Sequence, residues 1–239
     1  MKIGKTIGIL CLLLTIVFVL AGSDAGLSEK TGYIPAARFT GYPLKPGVPP
    51  GWVLDRNAGN PALTLTKEGD AVYLHLISEG SSSFGIKRPV KVDIRQYPYL
   101  TWRWKAKRLP TGGDVRQCGR DDQALQLYVA FQPLGFPARL KTPVIGYIWD
   151  NEAPKGWMGR STKAGADKLR YVVSRNGSDR MNTWYTEKRN IYEDYRRLFK
   201  DIGSGEPKGP TSGIALYIDS QDTQSQAEGQ IGEVYFSRR

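Results

Sequence analysis

Tyr99-Leu100-Thr101-Trp102-Arg103-Trp104-Lys105-Ala106-Lys107 alternates apolar and polar side chains almost without a break. Successive residues of a β-strand point to opposite faces, so this pattern fits a strand and no other regular element. Leu100, Trp102, Trp104 and Ala106 share one face, the core face. Thr101, Arg103, Lys105 and Lys107 share the other and meet water.

Shorter runs of the same kind lie on both sides: 62–66, 71–78, 83–88, 123–131, 144–149, 169–174, 213–220 and 230–237. Turn signals separate them, and strands do not alternate regularly with helices. The pattern predicts an all-β fold, a two-layer antiparallel β-sandwich of jelly-roll type. One helix is predicted over 191–202, where Ile191, Tyr195, Leu198 and Phe199 fall on one side and Gly203 follows as the stop. The stretch 26–51 is rich in glycine and proline and reads as a leader that wraps the surface before the first regular strand. Residues 52–239 then form a single sandwich domain.

The start of the chain addresses the protein. Lys2 and Lys5 precede a short apolar run over 6–20, and small residues follow at Ala21, Gly22, Ser23 and Ala25. This is the pattern of a secretory signal peptide over 1–25. The apolar run falls short of the roughly 20 residues that span a bilayer. The expected location is periplasmic or extracellular, with membrane contact through this segment only if it stays uncleaved. Cys11 sits inside the apolar run rather than at its small-residue end, which is not where a lipoprotein is cut.

Charge and reactive residues narrow the function classes. Lys and Arg number 34 against 23 Asp and Glu, a formal net charge of +11. An exported basic protein meets anionic glycans, phosphorylated envelope lipids or the membrane surface rather than nucleic acid, and its binding should be sensitive to salt. Cys118 alone survives export, so no internal disulfide can form. The single histidine, His75, excludes a multi-histidine zinc site, and no nucleophile-elbow sequence supports a serine triad.

Two sets of residues remain as candidate sites. The first is the second face of several strands, where aromatics sit beside polar groups: Gln126 and Tyr128, Tyr147 and Trp149, Tyr217 and Asp219, together with Arg103 and the adjacent Asp150. Such a face suits a shallow groove for a ring-shaped ligand; packing beneath loops is the alternative. Tyr128 or Trp149 is the expected exposed anchor. The second set is acidic: Asp121-Asp122 before the 123–131 strand, and Asp219 and Asp222 after the 213–220 strand. Gathered at one rim, these carboxylates could ligate calcium through oxygen or act as an acid/base pair roughly 5 to 10 Å apart. Asp in turns equally serves its own backbone. Apart from calcium, no cofactor is expected.

Several blocks in order carry a family resemblance: Arg103-Trp104, Asp121-Asp122, Leu127 to Phe131, Tyr147 to Asn151, Glu187 to Ile191, Asp194-Tyr195, Asp219 to Thr223 and Gly232 to Phe236. Over roughly 37–236 the chain resembles a bacterial family of exported proteins catalogued only as a domain of unknown function. More loosely, the Trp-rich early strand and the closing strand with its Gly232-Glu233 pair look like the jelly rolls of carbohydrate-binding modules and galactose-binding-like domains. That likeness implies a non-catalytic binder of a glycan or another anionic envelope component. A carboxylate-dependent polysaccharide hydrolase or lyase is the second reading.

Overall fold

A computed structural model describes residues 32–239. The expected signal peptide, and the leader up to residue 31, lie outside the described residues. Thirteen strands build two sheets. They are β1 (Tyr33–Ala37), β2 (Val53–Ala58), β3 (Ala62–Glu68), β4 (Ala71–Glu79), β5 (Ser83–Pro89), β6 (Tyr99–Arg108), β7 (Leu125–Ala130), β8 (Val144–Trp149), β9 (Met158–Arg160), β10 (Leu169–Arg175), β11 (Tyr185–Asn190), β12 (Gly213–Asp219) and β13 (Gln226–Ser237). One sheet runs β11-β6-β13-β4-β3, with β1 also on β13; the other runs β2-β5-β12-β7-β8-β10-β9. Every pairing is antiparallel except β8 with β10. The β-sandwich read from the alternation is the fold.

The strand β6 keeps the expected register. Leu100, Trp102, Trp104 and Ala106 are wholly buried, and Arg103 is exposed. Trp102 and Trp104 meet edge to face, with centroids 5.4 Å apart. Tyr147 of β8 reaches Trp102 and Trp149 reaches Trp104 from the opposite sheet, at 4.9 and 5.8 Å. These four rings bridge the sandwich at its centre, and offset or edge contacts of this kind add to the area they bury.

Several elements differ from expectation. The leader contains β1, which hydrogen-bonds to the end of β13, and it buries Ala36, Ala37 and Phe39. Pro35 is tolerated there because β1 is an edge strand and need not donate on its open side. Polar or very short stretches hid β2, β9 and β11; the Tyr-Thr-Glu-Lys-Arg-Asn sequence of β11 carries no alternation of hydrophobicity. The main helix, α2 (Ile191–Leu198), is shorter than the expected 191–202. Asn190 caps its start, its Oδ1 accepting from the Glu193 amide at 3.1 Å, and Phe199 already leaves helical geometry at φ −111°, ψ 19°. A four-residue helix, α1 (Ala138–Lys141), lies in the loop between β7 and β8.

Replacing Trp104 by alanine would leave a cavity among the four rings. The expected cost is about 3 to 5 kcal/mol, read as a lower midpoint in denaturant at unchanged slope. A loss below about 1 kcal/mol would contradict this packing.

Candidate functional site

The expected carboxylate cluster assembles. Asp219 ends β12 and Asp121-Asp122 lead into β7, and these neighbouring strands bring the two turns together through the Asp219 amide on the Gln123 carbonyl at 3.1 Å. Asp122 accepts from the Asp222 and Thr223 amides at 3.1 and 2.6 Å. Asp219 accepts from Ser83 Oγ at 3.0 Å and from the Gln221 amide at 3.1 Å. Asp121 accepts from Gln123 Nε2 at 2.9 Å and from Tyr171 Oη at 3.4 Å. The chain of contacts continues from Gln126 Nε2 to Gln123 Oε1 and from Tyr128 Oη to Gln126 Oε1, both at 2.7 Å.

The cation among these carboxylates is Lys163, which the sequence reading did not single out. Its Nζ lies 3.1 Å from Asp222 Oδ2 and 3.9 Å from Asp121 Oδ2. Burial disfavours the ammonium, but Asp121, Asp219 and Asp222 together outweigh that and raise its pKa. Calcium was expected on Asp121, Asp122, Asp219 and Asp222, and the structure has protein donors at the oxygens of this cluster. Among the described residues no group of three or more His, Cys, Asp or Glu side chains is arranged to hold a metal ion. Backbone amides, the side chains of Ser83, Gln123 and Tyr171, and Lys163 meet the carboxylates. The arrangement ties the segment around Lys163 to the sheet.

The expected ligand face needs a second correction. Gln126, Tyr128, Tyr147, Trp149, Asp150, Tyr217 and Asp219 are all buried; only Arg103 of that set reaches solvent. Tyr147 and Trp149 point into the central core. Tyr147 Oη donates to Asp194 Oδ2 at 2.9 Å, and Trp149 Nε1 to the Asn176 carbonyl at 3.2 Å. Tyr128 and Tyr217 face outward from their sheet but pack in a second apolar cluster with Val115, Ala153, Leu169 and Tyr171. Gly146 leaves room for it, since a Cβ there would stand 2.8 and 2.9 Å from the Tyr128 and Tyr171 rings. Asp150 accepts from the Val115 and Ala153 amides at 3.0 and 2.7 Å, so it holds two loops together. Loops on this side cover the sheet, which strand periodicity cannot reveal.

The open polar-aromatic face belongs to the other sheet. Trp184, just before β11, folds across β6 and stacks on Tyr73 of β4, with centroids 4.0 Å apart. Gly232 in the β13 bulge permits this, because a Cβ there would stand 3.0 Å from the Tyr73 ring. Arg103 and Lys105 lie over the Trp184 ring at 5.0 and 4.7 Å. Glu68 holds the arrangement, accepting from Lys105 Nζ at 2.6 Å and from Trp184 Nε1 at 2.9 Å; these two hydrogen bonds lower its pKa. Gln230 pairs across the sheet with Lys105 and with His75, and its Oε1 has no hydrogen-bond partner. On the same face, beyond His75, opens a shallow groove of about 470 Å³ lined by Pro46, Val48, Leu54, Thr64, His75 and Ile77. Trp184 was missed because it sits in the irregular segment before β11. The signal available was the basic outer face of β6, of which Arg103 was already in the expected ligand set.

Residues 52–235 match the family model described as "Protein of unknown function (DUF3047)". The chain belongs to this family. No curated protein matches it. Among solved structures, this DUF3047 member is similar to a family 11 carbohydrate-binding module from Clostridium thermocellum in complex with a beta-1,3-1,4-mixed-linked tetrasaccharide. The TM-score is 0.48 at 8% identity, over 86% of this chain and 95% of that one. It is also similar to the glycoside hydrolase domain of Endo-D from Streptococcus pneumoniae R6, with TM-score 0.38 at 11% identity, over 79% of this chain and 22% of that one.

Burial sets how this DUF3047 member responds to pH. It raises Asp121 and Asp150 from 3.8 to about 6. A carboxyl with a raised folded-state pKa holds its proton more tightly when folded, so its contribution is full at low pH and is lost as pH rises from 3.8 toward about 6. Asp114, drawn down to about 2 chiefly by hydrogen bonds from Arg116, does the opposite and loses its contribution as pH falls from 3.8 toward about 2. The unfolding temperature should therefore be higher at about pH 5 than at neutrality and fall again in stronger acid. Asp121→Asn should flatten the decline between pH 5 and neutrality; an unchanged slope in that variant would remove Asp121 as its source.

Proposed function

We infer that this is an exported, non-catalytic binding protein of the cell envelope that takes a glycan or another anionic envelope ligand on the outer face of β6, β13, β4 and β3. The observation that carries this reading is the Trp184–Tyr73 stack flanked by the cations Arg103 and Lys105. A half-buried indole gives a sugar ring an apolar surface to stack on. Arg103, exposed beside it, supplies a fork of donors that matches a carboxylate or sulfate.

The shape of the face favours an elongated ligand. From β6 to β3 is three strand spacings, about 14 Å, and the groove beyond His75 continues it. The hydroxyls of Thr64 and Thr66 on β3 lie between as hydrogen-bonding groups. Binding rather than turnover is supported by where the carboxylates sit: the acidic cluster is closed around Lys163 on the other sheet, and the glutamates on this face are ion-paired, Glu68 with Lys105 and Glu228 with Lys107.

Titration with an acidic oligosaccharide, read by calorimetry, tests the reading. Trp184→Ala should weaken binding about tenfold or more while the protein stays folded, its unfolding temperature lowered by a few degrees, and raising the salt concentration should weaken binding further. Unchanged affinity in Trp184→Ala, or steady release of reducing or unsaturated ends by the wild-type protein, would overturn it.

A further inference from the structure

The loop between β7 and β8 presents the most exposed large apolar side chain among the described residues. Phe136 is 94% exposed, and Leu140 four residues on is 39% exposed. A lone surface phenylalanine means little. This one stands at the apex of a loop whose base is fixed on three sides. The Leu134 amide donates to the Lys141 carbonyl at 2.9 Å, Lys208 Nζ donates to the Leu134 carbonyl at 2.8 Å, and the backbone at Gly203 lies against the Leu134 side chain. Gln132 adds a hydrogen bond to the Pro210 carbonyl. Pro133 and Pro137 further restrict the backbone. The tip is held out, rather than left to collapse onto the sandwich.

Cations surround it. Arg139 and Lys141 lie in α1 beside Leu140, and Lys208 sits at the loop's base. None of the three forms an ion pair with a carboxylate among the described residues; the nearest acidic influence on Lys141 is Asp167, which pairs with Lys168. The pattern is an apolar apex on a basic collar.

We propose that the β7–β8 loop is a membrane-docking tip, seating Phe136 and Leu140 among the headgroups of an anionic bilayer while Arg139, Lys141 and Lys208 meet the lipid phosphates. A convex apolar tip needs a matching pocket on a protein partner, whereas the bilayer interface accepts it as it stands. Burying the phenyl ring draws the tip inward, and each cation near an anionic surface adds attraction that decays within a Debye length. Because the base is already fixed, little ordering is lost on docking. One apolar tip with a few cations makes a reversible contact, as single weak anchors do. Among the described residues no helix is long and apolar enough to cross a membrane, so this contact is peripheral. It is independent of the Trp184 face.

The test must separate this loop from the apolar run near the start of the chain. In the full chain with Cys11→Ser and Cys118→Ser, Ala138→Cys carries an environment-sensitive nitrobenzoxadiazole dye. Vesicles of phosphatidylcholine with phosphatidylglycerol should shift its emission to the blue, and vesicles of phosphatidylcholine alone should not. Phe136→Ser should weaken the lipid affinity about tenfold. Arg139→Glu with Lys141→Glu should weaken it at least as much, and salt should abolish the shift. No shift at position 138 on anionic vesicles, or an equal shift on neutral ones, overturns the proposal, even if the protein co-sediments with both.

Discussion

The two-residue period of β6 governs both the inside and the outside of the molecule. One face sends Trp102 and Trp104 into contact with Tyr147 and Trp149 of the opposing sheet, which ties the two layers together at the centre. The other face sends Arg103 and Lys105 outward beneath and beside Trp184. A slip of one residue would place two cations in the core and two indoles in water, so the register is strongly specified. The candidate binding surface is therefore the reverse side of the same alternation that builds the core.

The two sheets treat their outer faces differently. On the β7-β8-β12 side, loops close over the sheet and enclose a second apolar cluster together with a polar network centred on Lys163. Buried ions are costly unless paired and hydrogen-bonded, and here three carboxylates and a string of amides and hydroxyls meet that requirement. Such a network adds geometric demands more than net stability, since removing one partner leaves the others uncompensated. On the β6-β13-β4 side, Trp184 crosses the strands among the described residues, and its indole is held by Glu68 and Tyr73.

Periodicity made the sandwich legible, because Leu125, Leu127 and Val129, or Ile214, Leu216 and Ile218, recur at the two-residue spacing that sets one face of a strand toward the core. The gathering of Asp121, Asp122, Asp219 and Asp222 was legible too, from their place at strand ends. What periodicity could not show is what lies on top of a strand's second face. Tyr128, Tyr217 and Gln126 do point away from the central core, as their positions imply, yet the 150–168 segment covers them. Tyr147 and Trp149 share their face with Ile145, and it was the core face. Lys163 and Trp184 both lie in irregular segments, where side-chain direction follows from long-range closure and not from local pattern. Polar β11 was hidden for the same reason: its partner β6 supplies the apolar side of the pairing.

The central claim is that ligand meets the protein over Trp184 and not over Tyr128 or Trp149. The most direct measurement is a nuclear magnetic resonance titration of the indole N–H signals with an acidic oligosaccharide, the Trp184 signal being assigned by its loss in Trp184→Phe. The Trp184 signal is expected to move with ligand, together with the side-chain signal of Arg103, while those of Trp102, Trp104 and Trp149 stay in place. A stationary Trp184 signal beside shifts at Trp149 would contradict it.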